Sequence, residues 1–283
     1  MSAILLLALP KRGVPVPPPP HDAALLGELA ATMFLRPQRL GRRMPREQAY
    51  LESAQPLALR TSLGELAGWQ WGDPAAPLVG LVHGWEGHGA QLGAFVAPLV
   101  AAGFRVLGFD APGHGDSPGD EAHVPLVAWM LAEIEPQTGP FCALIGHSMG
   151  AAAAAQSTVL GVKPRAMVML SPPLSQLDRV ERVAARLQLS PEVRAAFFAA
   201  VERKTATPYE LADVRAPARS AACPLLVFHD PADTDTDYAD SEKIVAAWRA
   251  GAQLVPCPGR GHYRILATPE IVRQTVEFIT GLR

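Results

Sequence analysis

A serine flanked by glycines lies where an apolar segment of the chain gives way to an alanine-rich one. Gly146-His-Ser-Met-Gly150 follows the apolar residues of Phe141–Gly146 and precedes Ala151–Gln156. A serine on a tight turn between a strand and a helix exposes its hydroxyl, and glycine neighbours let the two elements approach closely. Ser148 is therefore predicted to be a nucleophile that attacks an acyl carbon.

A serine nucleophile needs a base, and the chain offers eight histidines. His262 lies in Pro258-Gly-Arg-Gly-His262, a glycine-rich loop after the last apolar segment. A base can reach the serine from such a loop, and the chain order serine, acid, histidine is the one this arrangement uses. We therefore predict His262 as the base. The remaining histidines lack this context: His21, His83, His88, His114, His123, His147 and His229.

The acid that orients the histidine must come from a loop just beyond a strand. Five aspartates follow the apolar segment that ends at His229: Asp230, Asp233, Asp235, Asp237 and Asp240. Asp233 is the favoured candidate and Asp230 the alternative. The other three are interpreted as solvated charges or helix-start residues.

A second glycine-containing loop, His83-Gly-Trp-Glu-Gly87, follows the apolar segment that begins at Leu78. Such a loop can direct a backbone N–H at the oxyanion that develops on the attacked carbonyl. Trp85 is predicted to supply one N–H and Met149, directly after the nucleophile, the second. His83 is interpreted as a brace for the loop. Because a carboxylate in the hole would repel the oxyanion, Glu86 is expected to point to solvent or to a basic partner.

The elements that position these residues alternate along the chain. Leu57–Ser62 and Glu65–Trp71 are predicted to form an opening antiparallel pair. Six more apolar segments predict strands: Leu78–His83, Phe104–Phe109, Phe141–Gly146, Arg165–Leu170, Leu225–His229 and Ala252–Val255. Because these segments are apolar on both faces and separated by helical ones, such as Ala90–Ala102 and Val124–Glu135, they indicate an α/β fold. We expect a mostly parallel eight-stranded sheet with helices on both faces.

The alternation is interrupted once, between Ser171 and Cys223. This stretch has helical periodicity and no convincing strand pattern. It is interpreted as a helical cap that lies above the carboxyl ends of the strands.

Several of these motifs together resemble the α/β-hydrolase superfamily, in particular small serine hydrolases with a His-Gly-Trp loop. The motifs are Val82-His-Gly-Trp85, Gly108-Phe-Asp-Ala-Pro-Gly-His-Gly-Asp-Ser117, Gly146-His-Ser-Met-Gly150, His229-Asp-Pro-Ala-Asp233 and Gly261-His262. The resemblance runs from about Leu57 to the C-terminus and implies the α/β-hydrolase fold. It places the acid at Asp233, makes Phe109–Ser117 a structural turn, and makes residues 171–223 a cap that shapes the acyl pocket. Members often have valine-proline shortly after the acid, where this chain has Thr236-Asp237.

The first 55 residues lie outside this resemblance. We predict an N-terminal extension over residues 1–55, with a proline-rich segment and an amphipathic helix, and a hydrolase domain over residues 56–283 with its cap at about 171–223. The apolar run Ala3–Leu9 is too short to span a bilayer, and Lys11 and Arg12 follow it instead of a cleavage site. This pattern predicts a cytoplasmic protein. Arginines behind the helix suggest a solvated face or, as the alternative, weak membrane contact: Arg36, Arg39, Arg42, Arg43 and Arg46.

Composition limits the remaining function classes. The chain is 49% hydrophobic and 18% charged, which is typical of a folded domain with a large core. Its net charge of −2 gives no reason to expect a nucleic-acid partner. The three cysteines argue against a disulfide framework, and no Cys/His cluster has the spacing of zinc ligands. No metal or cofactor is predicted.

The predicted residues favour hydrolysis of a carboxylic ester, a small-molecule ester or acyl compound being the substrate. A peptidase, a thioesterase, an acyltransferase and a carbon–carbon bond hydrolase could use the same residues and stay as alternatives. A binding scaffold that keeps the fold without catalysis is an alternative of another class.

Overall fold

Eight strands form one sheet in the computed structural model, which describes residues 22–38 and 43–282. The strands are β1 (Gln55–Thr61), β2 (Gly64–Trp71), β3 (Leu78–Val82), β4 (Arg105–Phe109), β5 (Phe141–His147), β6 (Ala166–Leu170), β7 (Leu225–His229) and β8 (Ala252–Pro256). Their order is β1-β2-β4-β3-β5-β6-β7-β8. β2 pairs antiparallel with β1 and β4, and every other neighbouring pair is parallel. The predicted mostly parallel eight-stranded sheet is confirmed.

The helices are α1 (Ala23–Leu35), α2 (Pro45–Glu52), α3 (Val96–Ala101), α4 (Val124–Thr138), α5 (Met149–Ser157), α6 (Gln176–Arg186), α7 (Pro191–Thr205), α8 (Arg215–Ala218), α9 (Tyr238–Ala247), α10 (Gly261–Arg264) and α11 (Pro269–Thr280). Short 3₁₀ turns occupy Gly93–Phe95, Thr158–Leu160 and Ile265–Ala267.

The core lies on both faces of the sheet. Successive residues of a strand point to opposite faces, so Met167 joins one buried cluster while Val168 joins the other. Apolar residues of α4, α5 and α9 complete the first cluster, and those of α3 and α11 complete the second. The predicted covering of the sheet by helices on both faces is therefore confirmed.

The parallel register brings the carboxyl ends of the central strands to one edge. Val82 pairs with Gly146, His147 with Leu170, and His229 with Pro256. The loops that follow β3, β5, β7 and β8 therefore meet at this edge. These are the loops that carry the predicted site residues.

The segment predicted as a helix at Ala90–Ala102 is helical only from Gly93, first as a 3₁₀ turn and then as α3. The Gln91 side chain accepts a hydrogen bond from the Gly84 N–H at 3.1 Å, and the Gln91 N–H donates to the His88 carbonyl at 2.8 Å. These bonds hold the residues before Gly93 in turns against the loop after β3, so apolar spacing alone placed the helix start too early.

The segment between β6 and β7 contains α6, α7 and α8, as the helical periodicity predicts. α1 packs against α7: Gly27 of α1 lies so close to Ala196 that a Cβ at position 27 would be 2.6 Å from that residue. Ala30 and Ala31 share a buried cluster with Phe197 of α7. The N-terminal helix thus shares a buried cluster with α6 and α7.

The buried face of α1 is not the one that its large side chains suggest. The small residues Gly27, Ala30 and Ala31 are buried against α7 and Leu35 is buried as well, while Leu25, Leu29 and Met33 are exposed. Small side chains let two helices pack closely. The predicted membrane contact stays a prediction. Several residues of the predicted extension lie outside the described residues: the proline-rich segment, the run Ala3–Leu9, Arg39 and Arg42.

None of the helices in residues 22–38 and 43–282 combines the length and the apolar character that crossing a bilayer requires.

Candidate active site

Ser148 lies on the tight turn between β5 and α5. Its backbone has φ 50° and ψ −121°, a region that non-glycine residues rarely adopt and that occurs at functional sites. A Cβ at Gly146 would lie 2.5 Å from Ala151, and one at Gly150 would lie 2.3 Å from the Val82 carbonyl oxygen. Both glycines are therefore required for the turn, and the side chain of Ser148 is left partly accessible.

His262 and Asp233 form a buried pair at the same edge of the sheet. His262 Nδ1 is 2.7 Å from Asp233 Oδ2, and both side chains are almost fully buried. Asp233 comes from the loop after β7 and His262 from α10, after β8. The structure thus brings together the predicted base and the favoured acid.

Burial alone would raise the pKa of Asp233, but hydrogen bonds from His229 and His262 lower it well below its ordinary value. His229 Nε2 lies 3.5 Å from Asp233 Oδ2, and its Nδ1 is 2.6 Å from Ser241 Oγ. Asp233 is therefore ionised at neutral pH and can stabilise a positive charge on His262.

Sequence reasoning missed the contribution of His229, which lies at the end of β7. Its position four residues before the favoured acid was the available signal. Thr236, which stands where the resembling family often has valine, was missed in the same way. Its hydroxyl lies 3.4 Å from Asp233 Oδ2 and 3.3 Å from His229 Nε2. The departure from the family pattern therefore adds a polar contact to the acid.

Asp230, the alternative acid, has other partners. Its Oδ1 accepts the Ala232 N–H at 2.9 Å, and its Oδ2 accepts the Gly261 N–H. Burial would raise its pKa, but backbone N–H donors, Gly261 first, lower it. Asp230 thus holds the backbone beside His262, whereas Asp233 holds the imidazole.

His147 links the serine turn to the histidine loop. Its Nε2–H donates to the His262 carbonyl at 2.9 Å, and the two rings lie 4.7 Å apart. Burial and the nearby His262 lower the pKa of His147 to about 3, so it stays neutral. No hydrogen bond joins the Ser148 hydroxyl to His262 within the described ranges. The structure therefore places the serine next to the histidine loop without closing that last contact.

The loop after β3 lies against the serine. A Cβ at Gly84 would be 3.2 Å from Ser148 Cβ, so the loop backbone approaches the nucleophile closely. The backbone N–H groups of Trp85 and Met149 donate no hydrogen bond to an acceptor in residues 22–38 and 43–282. Both predicted donors are thus available at this edge.

His83 and Glu86 fix the shape of that loop. His83 Nδ1 donates to the Gly84 carbonyl at 2.7 Å and its Nε2 accepts the Ala111 N–H at 2.9 Å. The Glu86 carboxylate accepts the Gln38 N–H at 3.2 Å. The bracing interpretation of His83 agrees with these contacts, and the carboxylate of Glu86 has a backbone partner on the N-terminal segment.

A cavity of about 660 Å³ opens above Ser148. Its floor includes Trp85 and Met149, and its walls come from α6 and from α1. Four charged residues line it: Arg36, Glu86, Arg179 and Arg186. Sequence analysis did not foresee α1 or these arginines as parts of the site, because the packing of α1 on the cap is long-range.

One group of side chains could in principle hold a cation. Ligand atoms of Asp233, Asp235 and His262 lie within 4.8 Å of one another. Because His262 Nδ1 is already hydrogen-bonded to Asp233, we infer no metal site from this group.

A model of the alpha/beta hydrolase family matches residues 81–275. Among solved structures, an esterase of Pyrococcus furiosus is 20% identical, with 88% of this chain and 97% of that chain covered and a TM-score of 0.64. A monoacylglycerol lipase of Paleococcus ferrophilus is 23% identical, with 77% and 100% covered and a TM-score of 0.59. An esterase of Thermogutta terrifontis is 21% identical, with 81% and 99% covered and a TM-score of 0.60. At these identities the likeness shows the fold alone. A search of the curated proteins found no match.

Proposed function

Since the chain belongs to the alpha/beta hydrolase family, we propose that it is a serine hydrolase that cleaves carboxylic esters through Ser148, His262 and Asp233. The observation that carries the proposal is the buried 2.7 Å contact between His262 Nδ1 and Asp233 Oδ2, at the sheet edge where Ser148 sits on its strained turn.

In the proposed mechanism, His262 Nε2 takes the proton of the Ser148 hydroxyl while Oγ attacks the ester carbonyl carbon. The contact of Nδ1 with the ionised Asp233 leaves Nε2 as the unprotonated nitrogen and stabilises the imidazolium that forms. The contact between Ser148 and His262 would close when substrate binds, since catalytic hydrogen bonds are often long in unliganded enzymes.

The carbonyl oxygen becomes negatively charged in this step. The backbone N–H groups of Trp85 and Met149 are proposed to bind it, and one such donor contributes about 2.7–4 kcal/mol to the transition state of a related reaction. The tetrahedral intermediate then collapses, the C–O bond to the alcohol breaks, and His262 gives its proton to the leaving oxygen. Water, activated by His262, cleaves the acyl-enzyme and restores Ser148.

The ester class is supported by the similar structures, of which two are esterases and one is a monoacylglycerol lipase. A thioesterase domain from the curacin pathway also shares the fold, at 19% identity and a TM-score of 0.57. Peptidase, acyltransferase and carbon–carbon bond hydrolase activity would use the same residues. A non-catalytic scaffold has no use for the strained serine and the buried acid–histidine pair together.

Three butyryl compounds test the ester class: the p-nitrophenyl ester, the p-nitroanilide and a butyryl thioester. We expect kcat/KM for the ester to exceed that for the anilide at least about a hundredfold, because breaking the amide needs stronger help at the leaving nitrogen. The hydrolysis rates are measured spectrophotometrically against Ser148→Ala as the background.

Comparable cleavage of the anilide would favour a peptidase instead, and a thioester turned over far faster than the ester would favour a thioesterase. No cleavage of any of the three by folded protein would contradict the proposed function.

A further inference from the structure

Three arginines line the cavity above Ser148, and no carboxylate in the described residues forms an ion pair with any of them. They are Arg36, which follows α1, and Arg179 and Arg186 of α6. Arg36 and Arg186 are exposed, whereas Arg179 is half-buried. The only acidic residue that lines the cavity, within the part of the chain described, is Glu86. The cavity therefore carries more positive than negative charge.

The register of α6 directs these arginines into the cavity. Gln176, Arg179, Val183 and Arg186 all line it, and their spacing of three, four and three residues places them on one face of the helix. Val180 and Ala184 on another face are buried in the cluster that joins α6 to α1 and α7. Burial of that second face fixes the rotation of α6, so the arginine face cannot turn away from the cavity without loss of packing.

Arg179 is the only one of the three arginines that is half-buried, and it has no ion pair in the described residues. Its Nη1 donates to the backbone carbonyl of Asp235 at 3.3 Å. The neighbouring Arg182 differs, because it forms an ion pair with Asp237 at 2.6 Å. Burial lowers the pKa of Arg179 and the positive charge of Arg182 lowers it further, while the charge of Asp235 opposes this without forming an ion pair. A half-buried cation is costly without an anionic partner, and a bound anion would offset that cost.

Arg179 lines the cavity of Ser148 on the side of the loop that carries Asp233, which holds the histidine. The carbonyl that it contacts belongs to Asp235, whose own N–H donates to Asp233 Oδ1 at 2.8 Å. Asp233 in turn holds His262. Because the histidine must reach the leaving oxygen to protonate it, the alcohol portion of an ester lies on this side.

We propose that the preferred substrate is an ester whose alcohol portion carries a carboxylate or phosphate group, and that Arg179 binds this anion. The inference rests on the proposed function. The planar guanidinium suits both oxyanions, because its N–H groups match their oxygens in pairs. Arg186 and Arg36 add positive charge along the path into the cavity, and Phe34, Leu35 and Val183 provide apolar walls for the rest of the substrate.

Two matched pairs of substrates test this assignment. The first pair is 4-butyryloxybenzoate and its neutral benzamide analogue. The second pair is a monoacylglycerol 3-phosphate and the monoacylglycerol with the same acyl chain. For wild-type protein, we expect kcat/KM to be at least about tenfold higher for the charged member of one pair or both, the size of a hydrogen bond to a charged group. A preference in the first pair alone would indicate that Arg179 binds the anion of a small organic ester. A preference in the second pair alone would indicate that it binds a lipid headgroup.

Arg179→Gln should bring the ratio of kcat/KM for the charged member to kcat/KM for the neutral member close to one, mainly by raising KM of the charged member. Arg179→Lys should restore part of the preference for the charged member. The control is Arg165→Gln, since Arg165 precedes β6 at the opposite edge and its guanidinium contacts the Leu282 carbonyl; its ratio should equal that of wild type. Equal rates for charged and neutral members in wild type, or a preference that survives Arg179→Gln, would overturn the assignment. Cleavage of the neutral members, measured against Ser148→Ala, reports separately whether the proposed function holds.

Discussion

Replacing Ser148 with alanine is expected to lower kcat for p-nitrophenyl butyrate by a factor of up to about 10⁶, the size of the loss when a serine protease loses its nucleophile. The loss follows because no other group can form the acyl-enzyme at this turn. The cavity and the two backbone N–H donors stay in place, so a small residual rate above the uncatalysed one should survive. This residual rate is measured in stopped assays with purified protein at high concentration.

Ser157→Ala is the matched control for this change. Ser157 is buried at the far end of α5, where its hydroxyl donates to the Ala154 carbonyl at 2.8 Å. Its loss should cost stability of about 1 kcal/mol and little activity. Thermal unfolding of both variants shows whether an activity change reflects folding. Near-normal turnover by Ser148→Ala would exclude Ser148 as the nucleophile.

Asp233→Asn is expected to reduce kcat by about 10⁴, as the equivalent change does in a serine protease. The asparagine would keep the size of the side chain but lose the charge that stabilises the His262 imidazolium. Its amide could also donate to His262 Nδ1, which would place the proton on Nε2 and leave no base for Ser148. The measurement is kcat on the p-nitrophenyl ester at neutral pH, with folding checked by thermal unfolding.

Asp230→Asn distinguishes the two candidate acids. Asp230 accepts backbone N–H groups of Ala232 and Gly261, and an asparagine oxygen can still accept one of them. We therefore expect kcat to fall about tenfold or less, because the change weakens one charge-assisted hydrogen bond of the loop and leaves the base His262 intact. The reverse order of effects, with Asp230→Asn the more damaging, would identify Asp230 as the acid.

The sheet could be predicted from the sequence because its central strands are apolar on both faces. β3, β6 and β7 are completely buried, and such runs are distinctive when helical segments separate them. The position of Ser148 was predictable for a related reason: the two glycines that its turn requires, Gly146 and Gly150, form a recognisable sequence motif around it. Both signals are local in the chain.

The choice between Asp230 and Asp233 was not settled by local signals. The two residues lie three positions apart in one loop, and which carboxylate faces His262 depends on the turn that Asp230 makes with Ala232. The role of His229 is hidden for the same reason, since the sequence does not show that a histidine at a strand end faces the acid.

The walls of the cavity depend on long-range packing and could not be predicted. In α1 the large side chains Leu25 and Leu29 dominate the apolar pattern, but the helix packs against α6 and α7 through Gly27, Ala30 and Ala31. Small residues give a weak periodic signal, although they allow the closest packing. Without that packing there is no reason to expect Arg36 and Arg179 in one cavity.

Labelling with a fluorophosphonate tests the central claim, that Ser148 is an activated nucleophile, most directly. Intact-mass and peptide analysis should find one adduct per chain, on Ser148, in wild-type protein. Ser148→Ala should show none, and His262→Ala should label far more slowly because the base is missing. A folded wild-type protein that takes up no label, or that takes it up at another residue, would contradict the account.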